Sequence, residues 1–396
     1  MSHTTIRLPR ASAGRRCRAL IPTALLAAAA ALAACASSDG GQGVQAPPSG
    51  SGASGSGSAQ VTAARAEVDK LLKPPTSIGI DQPLREKPRG GQTIVFLSCE
   101  TGLCQVLGSG MKDAAHAAGL QYKSLPITLA NPATLIAGMQ QALQMNPKPV
   151  GVVFAGIPEA VWAGQVPAFE KAGVPLIPVA VGEVKTGPAV PAGLDGPVDA
   201  RAQAAAVANY FIADSNGKGK ALAVNVPDVG ALKIAVDAFT TTVRKGCTDC
   251  VTDTVDVTLA QVASNGVVPA VVSALQRKPD ITYVMTPQGE WTQGLQAAVR
   301  AAGLDKVQLI GINPAKFNQQ ELLTGDSTAF SLLPFKIMAW KGVDIALRHA
   351  EGTPVRDSDV LLPLQLLTKA TVGTPADSID RPTDYQAQFT KLWKLS

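Results

Sequence analysis

Histidine is almost missing from this chain, with three in 396 residues, and its scarcity removes much of the chemistry a sequence can advertise. His116 and His349 lie far apart on helical patterns, so neither a Ser/His/Asp relay nor a histidine-based metal set can be assembled around them. A phosphate-cradling glycine loop is lacking too: Gly108-Ser109-Gly110 does not have the spacing of a dinucleotide fingerprint and falls inside a helical pattern. These absences argue against an enzyme, a bound cofactor and a metal. Aromatic residues are few, at 4%, while small apolar residues abound, as helices packed closely on parallel sheets allow. A run of apolar residues long and bulky enough to span a membrane is also wanting. Residues 19–34 come nearest, but a span needs roughly 20 residues and this stretch is shorter and dominated by alanine.

That stretch follows Arg7, Arg10, Arg15, Arg16 and Arg18, with no acidic residue among them, and ends in Leu32-Ala33-Ala34-Cys35. A basic start, an apolar middle and small residues before a boundary are the parts of an export signal. The closing four residues resemble a bacterial lipobox, which implies removal of residues 1–34 and a diacylglyceryl thioether on Cys35. Arg15-Arg16 hints at a twin-arginine route, although the residues after it match that pattern weakly.

Subtracting the signal changes the charge. The formal +5 comes from 35 basic and 30 acidic residues, so losing the five arginines leaves a neutral chain. No basic tract remains to follow a phosphate backbone, and nucleic acid is not an expected partner. Of six cysteines, Cys17 leaves with the signal and Cys35 is taken by lipid. The other four form two close pairs, Cys99 with Cys104 and Cys247 with Cys250, and an exported chain meets oxidising conditions. Two local disulfides are the favoured reading. Zinc would have to draw both pairs together from different domains. A thioredoxin-like role for Cys247-Thr248-Asp249-Cys250 suits a helix start, whereas here a strand-like run follows.

Residues 36–59 are Ser, Gly, Gln, Ala and Pro with almost no bulky apolar residue, a composition expected to form a flexible tether. A short helix is expected over residues 64–72, before Lys73-Pro74-Pro75. From Gly91 the pattern alternates short apolar runs with helical ones. Strands are expected over 93–97, 150–154, 174–181, 221–226, 252–257, 281–285 and 307–312, and helices over 106–118, 131–144, 160–171, 200–213, 232–245, 267–277 and 293–302. Such alternation predicts α/β architecture with two doubly wound parallel-sheet domains. Ligands of open α/β sheets lie outside the carboxyl ends of the strands, so two facing sheets would share one cleft and close on it by a hinge.

At this point the chain resembles the type I periplasmic binding proteins, in particular the ribose/galactose-like substrate-binding subunits of bacterial ABC transporters. The resemblance covers about residues 91–370 and rests on the order of several pieces: Gly110-Met111-Lys112-Asp113-Ala114-Ala115, Asn131-Pro132-Ala133, Ala172-Gly173-Val174-Pro175-Leu176-Ile177, Lys278-Pro279-Asp280-Ile281 and Gly311-Ile312-Asn313. It implies an N-terminal lobe of residues 91–183 plus 334–360 and a C-terminal lobe of 184–333 plus 361–396, after a lipidated cysteine and linker over 35–90. It also implies three hinge crossings, near 181–184, 333–335 and 360–363. The chain would be a monomeric lipoprotein on the extracytoplasmic face of the cell membrane, handing a small molecule to an ABC permease with a cytoplasmic ATPase. A sensing lipoprotein that signals to a membrane receptor kinase is the alternative.

Carried over position by position, much of the family's sugar-gripping set is replaced. The first-strand loop reads Thr101-Gly102-Leu103-Cys104 where the family has asparagine, proline and two phenylalanines. An aspartate and an arginine fall on Ala180 and Val181, an arginine on Lys233 and a hinge glutamine on Leu333. Gln288 and Asn313 keep polar side chains. The expectation is a less polar ligand, aromatic or a modified polyol, gripped by Phe154, Trp291 or Phe335 and oriented by Glu100, Lys233, Gln288 and Asn313. Trp162 and Trp340, on helical patterns, are expected in the core.

Overall fold

The computed structural model describes residues 53–395 apart from 228, so the export signal, Cys35 and most of the expected tether lie outside the described residues. Helix α1 covers Ala53–Leu71. The first lobe then alternates β1 (Thr93–Ser98), α2 (Gly102–Ala117), β2 (Gln121–Pro126), α3 (Ala133–Gln144), β3 (Gly151–Ala155), α4 (Glu159–Trp162), α5 (Val166–Ala172) and β4 (Leu176–Val179). The second lobe holds α6 (Pro197–Asp214), β5 (Lys220–Asn225), α7 (Gly230–Gly246), β6 (Val251–Asp256), α8 (Leu259–Ala263), α9 (Val267–Arg277), β7 (Tyr283–Thr286), α10 (Leu295–Ala301), β8 (Gln308–Ile312), α11 (Lys316–Thr324) and β9 (Ser327–Ser331). The chain ends with α12 (Phe335–Glu351), α13 (Asp357–Val360), β10 (Leu366–Leu367) and α14 (Tyr385–Leu392).

Two sheets result. The first has order β2-β1-β3-β4 and the second β10-β9-β8-β7-β5-β6. Every pairing is parallel except that of β10 with β9. Central strands such as β3, Gly-Val-Val-Phe-Ala, are buried along their whole length because helices cover both faces. Close helix packing depends on small residues: a Cβ on Gly110 of α2 would lie 2.9 Å from the Cβ of Ala339 on α12. The Cys99/Cys104 and Cys247/Cys250 pairs stand at disulfide distance, each with Cα atoms 5.4 Å apart.

The expected elements between residues 93 and 312 are present, with three differences. Helix α2 starts four residues early because Thr101 caps it. The expected helix over 160–171 is broken around Gly164 into α4 and α5, and Pro167 opens the latter. Strand β2 was not expected, since as an edge strand it exposes polar Gln121, Lys123 and Ser124.

Larger departures lie at both ends. The segment assigned to the linker is helical from Ala53, and Val61, Ala64 and Val68 of α1 sit in the second lobe's core. After Lys73-Pro74-Pro75 the chain reaches the other lobe, where Ile78, Ile80 and Leu84 are buried. The tail also returns: Val372 belongs to the second lobe, but Tyr385, Phe389 and Trp393 enter the first lobe's core instead of staying in the second as expected. Trp393 stacks on Trp340 at 5.2 Å between ring centroids, with 8° between the planes. Aromatic burial of this kind supplies the free energy that draws the tail across. The first crossing comes later than the expected 181–184, because Ala189, Val190, Ala192 and Leu194 stay in the first lobe's core and Leu194 pairs beside Val179; with those over 332–334 and 361–365 it is accompanied by two more.

Candidate ligand-binding cleft

Loops at the carboxyl ends of the strands of both sheets face one another across a cavity of about 660 Å3. From the first lobe come Leu103, Gln105 and Ser109 of α2 with Phe335 and Lys336 of α12; from the second come Gln288, Glu290, Asn313 and Lys316.

Local sequence fixes each wall. Thr101 Oγ1 accepts a hydrogen bond from the Cys104 N–H at 3.4 Å, which starts α2 at the cleft rim. Glu100, exposed beside it, is turned aside: its carboxylate accepts the Leu129 N–H at 3.2 Å. Opposite, Asn313 ends β8 in the left-handed region, φ 54°, which asparagine tolerates better than most residues. Its Nδ2 donates to Gln288 Oε1 at 2.9 Å, so two nearly adjacent strand ends lock each other's amides. Gly289 follows because nothing larger fits: a Cβ there would meet Asn318 Oδ1 at 2.5 Å and the Asn313 carbonyl at 2.7 Å.

Several charged groups at the cleft are engaged. Asp380 Oδ1 accepts the Lys336 and Ile337 N–H groups at 2.8 and 3.1 Å, occupying the N-terminus of α12. Burial raises the Asp380 carboxyl above its ordinary value. Lys316 pairs with Asp377 at 3.5 Å.

Behind Gln288 and Asn313, which line both spaces, a smaller recess of about 50 Å3 enters the second lobe. Asp195, Gln203, Leu232 and Leu333 complete its wall. Asp195 is half-buried in a left-handed turn, φ 49°, just before α6, and accepts Gln203 Nε2 at 3.3 Å. Burial, and then the neighbouring Asp199, push its carboxyl up to about 7. Gln203 is 4% exposed, and its Oε1 is buried without a hydrogen-bond partner.

No family model matches this chain, and no curated protein does. Solved structures do. An ABC sugar transporter subunit from Rhodobacter sphaeroides 2.4.1 is similar at 19% identity and a TM-score of 0.59, covering 71% of this chain and 99% of that one. A carbohydrate transporter solute-binding protein from Agrobacterium radiobacter, in complex with D-arabinose, matches at 19% identity and 0.58, covering 74% and 97%. The 5-methylthioribose transporter solute-binding protein of Thermotoga lettingae, with 5-methylthioribose, matches at 14% and 0.59, covering 78% and 100%. The chain has the type I periplasmic binding protein fold.

In that fold the expected ligand residues divide. Leu103, Gln288, Asn313, Phe335 and Leu333 line the cleft or its recess. Phe154 does not: it is fully buried in β3, edge-on to Trp162 at 5.2 Å, because the strand is covered on both faces. Trp291 packs against the second lobe's core. Val181 is buried outside both cavities, well before the chain leaves the first lobe. Lys233 lies one residue past the recess-lining Leu232, and its ammonium is drawn outward to Asp237 at 2.5 Å. Of the three aromatic grips, Phe335 alone reaches the cleft. Asp195, Gln203, Ser109 and Lys336 are not among the expected residues; Asp195-Gly196-Pro197 marks a helix start in the sequence but not the burial of Asp195 against Gln203.

Among the described residues no helix is long and apolar enough to cross a membrane, and no group of three His, Cys, Asp or Glu could hold a metal ion.

Proposed function

We propose that this protein is a solute-binding lipoprotein: it captures a small molecule between its lobes by hinge closure and delivers it to an ABC importer. The observation that carries the reading is the 660 Å3 cavity walled by both lobes, with Gln105 and Ser109 on one side and Gln288 and Asn313 on the other. A cavity of this volume suits a ligand of one or two sugar rings. Polar groups on both walls give closure its driving force, since each lobe satisfies part of the ligand and the closed form satisfies all of it. Phe335 and Leu103 supply apolar contact on the first lobe, so the ligand class is a sugar or polyol bearing a less polar face.

This reading needs no chemical step, and the protein is not an enzyme. Cys35 carries the lipid, and the chain works as a monomer at the extracytoplasmic face of the membrane. Isothermal calorimetry against pentoses, hexoses, polyols and small aromatics tests it, paired with small-angle scattering. One class should bind at micromolar affinity or tighter and shrink the radius of gyration. Binding without contraction would remove the hinge mechanism, and a complete lack of binding would remove the solute-binding role. Mass spectrometry of the exported protein should find a lipid-modified Cys35 as its first residue.

A further inference from the structure

The recess behind the main cavity has hydrogen-bonding needs that the chain does not meet. Two polar groups of its lining, Asp195 once its carboxyl is ionised above about pH 7 and Gln203 Oε1, are both acceptors. The single donor between them, Gln203 Nε2, is spent on Asp195 Oδ1 at 3.3 Å. No lysine or arginine lines the recess, and the nearest in sequence, Lys233, faces Asp237. Asp199 offers no relief, being a second carboxylate that already accepts the Leu362 N–H at 2.9 Å. A buried acceptor without a donor is costly, and among the described residues with such an atom Gln203 is the one that lines a cavity, where a ligand group can reach it.

Resting on the solute-binding reading above, we propose that the Asp195–Gln203 recess is the specificity subsite of the cleft and takes a primary ammonium group of the ligand, so that the cargo is an amino-sugar or amino-polyol. A hydroxyl brings one hydrogen and satisfies one acceptor, whereas an ammonium brings three and can serve Asp195, Gln203 Oε1 and the Asn313–Gln288 pair together. The size agrees: about 50 Å3 accommodates little more than one water-sized group, while the ring or chain of the ligand occupies the larger cavity that shares Gln288 and Asn313. The charge agrees as well. A cation in the recess gives Asp195 the counter-ion it lacks, and the raised carboxyl is the mark of that lack. Leu232, Ala231 and Leu333 close the remaining sides with apolar groups, which strengthens a charge-assisted hydrogen bond by excluding water.

Calorimetry and scattering on the mature chain decide the matter with matched pairs: D-glucosamine against D-glucose, and 1-amino-1-deoxy-D-sorbitol against D-sorbitol. The amine of at least one pair should bind at least tenfold tighter than its hydroxyl partner. That preference should fall below threefold in Asp195→Asn and weaken in Gln203→Leu, which leaves the carboxylate in place; melting curves establish that both variants are folded. Equal or tighter binding of the hydroxyl partners, or a preference that survives Asp195→Asn, overturns the subsite. If the neutral sugars bind and contract the protein while the amines do not, the solute-binding reading stands and this inference falls. If no member of either pair binds or contracts the protein, the inference falls, and the wider panel then decides the reading beneath it.

Discussion

Asp344 and Arg348, one turn apart on α12, form a fully buried ion pair, Nε to Oδ2 at 2.6 Å, that ties three separate segments into the first lobe. Arg348 Nη2 donates to the Gln82 carbonyl at 2.6 Å, which fixes the segment after α1. Trp393 Nε1 donates to Asp344 Oδ1 at 2.8 Å, which fixes the tail. Removing one partner strands the other charge in the interior, so Asp344→Ala should cost about 3 to 5 kcal/mol of unfolding free energy. Asp344→Leu with Arg348→Met, which removes both charges, should cost distinctly less. Urea denaturation followed by tryptophan fluorescence checks the ranking.

A second expectation concerns the segment that crosses from α1 to the first lobe. Val61, Ala64 and Val68 attach α1 to the second lobe, aided by hydrogen bonds from Arg65 to Asn216 and from Thr248 to Gln60. On the far side Arg356 pairs with Asp81, and Glu351 accepts the Arg85 N–H. Val68→Asp places a carboxylate in that apolar seam and should detach α1 at a cost of roughly 2 to 3 kcal/mol. Limited proteolysis should then cut around residues 73–77 well before the rest of the chain. Unchanged resistance would mean that the segment is held by its first-lobe contacts alone.

How far the sequence reaches can be judged from single residues. The strands and helices from 93 to 302 are legible because buried parallel strands read as apolar runs, and helices between them keep a 3.6-residue period. Strand β2 is not, since an edge position lets it carry polar side chains. The helix before Lys73 reads as short because Ser, Gly and Ala dominate residues 53–59, yet Val61, Ala64 and Val68 already mark one helical face. Gln288 and Asn313 follow from the resemblance to type I periplasmic binding proteins, whose binding positions fall on these two strand ends. Asp195 and Gln203 do not, because their meeting depends on a left-handed turn and two helical turns, which no local pattern announces. Phe154 was misplaced because direction across a doubly covered strand is invisible in an unbroken apolar run.

Two titratable groups, half-buried Asp195 and buried Lys341, give stability a pH dependence. Burial holds the Asp195 carboxyl at about 7 against an ordinary 3.8, so folding favours its protonated form. Its contribution is complete below about pH 4 and is lost as pH rises through 7, a change of roughly 2 to 4 kcal/mol. Burial likewise holds the Lys341 ammonium at about 8 against 10.5, so the cation is disfavoured in the fold. That penalty applies below pH 8 and is relieved as pH climbs toward 10.5. Asp195→Asn should therefore match the wild type near pH 4.5 and exceed it at pH 7.5. Lys341→Met should remove the alkaline gain. Ligand-free denaturation midpoints at pH 4.5, 7.5 and 9.5 test both, and an Asp195→Asn advantage that is constant with pH would refute the first.

The cleft residues should separate sharply in ligand binding. Asn313 and Gln288 hold each other at 2.9 Å and face both cavities, so truncating either frees its partner and removes a ligand contact together. A buried polar group left without a partner costs about 1 to 3 kcal/mol, so Asn313→Ala and Gln288→Ala should each weaken binding of any titrating sugar or amino-sugar about 5- to 150-fold. Their double variant should lose less than the product of the two, because the first change already breaks the shared hydrogen bond. Glu100→Gln, by contrast, alters a group committed to the Leu129 N–H outside the cavity and should stay within twofold of wild type. Phe335→Leu keeps the apolar wall and should cost less than tenfold. Calorimetric affinities for the five proteins order the wall directly. A large loss in Glu100→Gln with none in Asn313→Ala would move the binding surface off the second lobe's strand ends and onto the rim of α2.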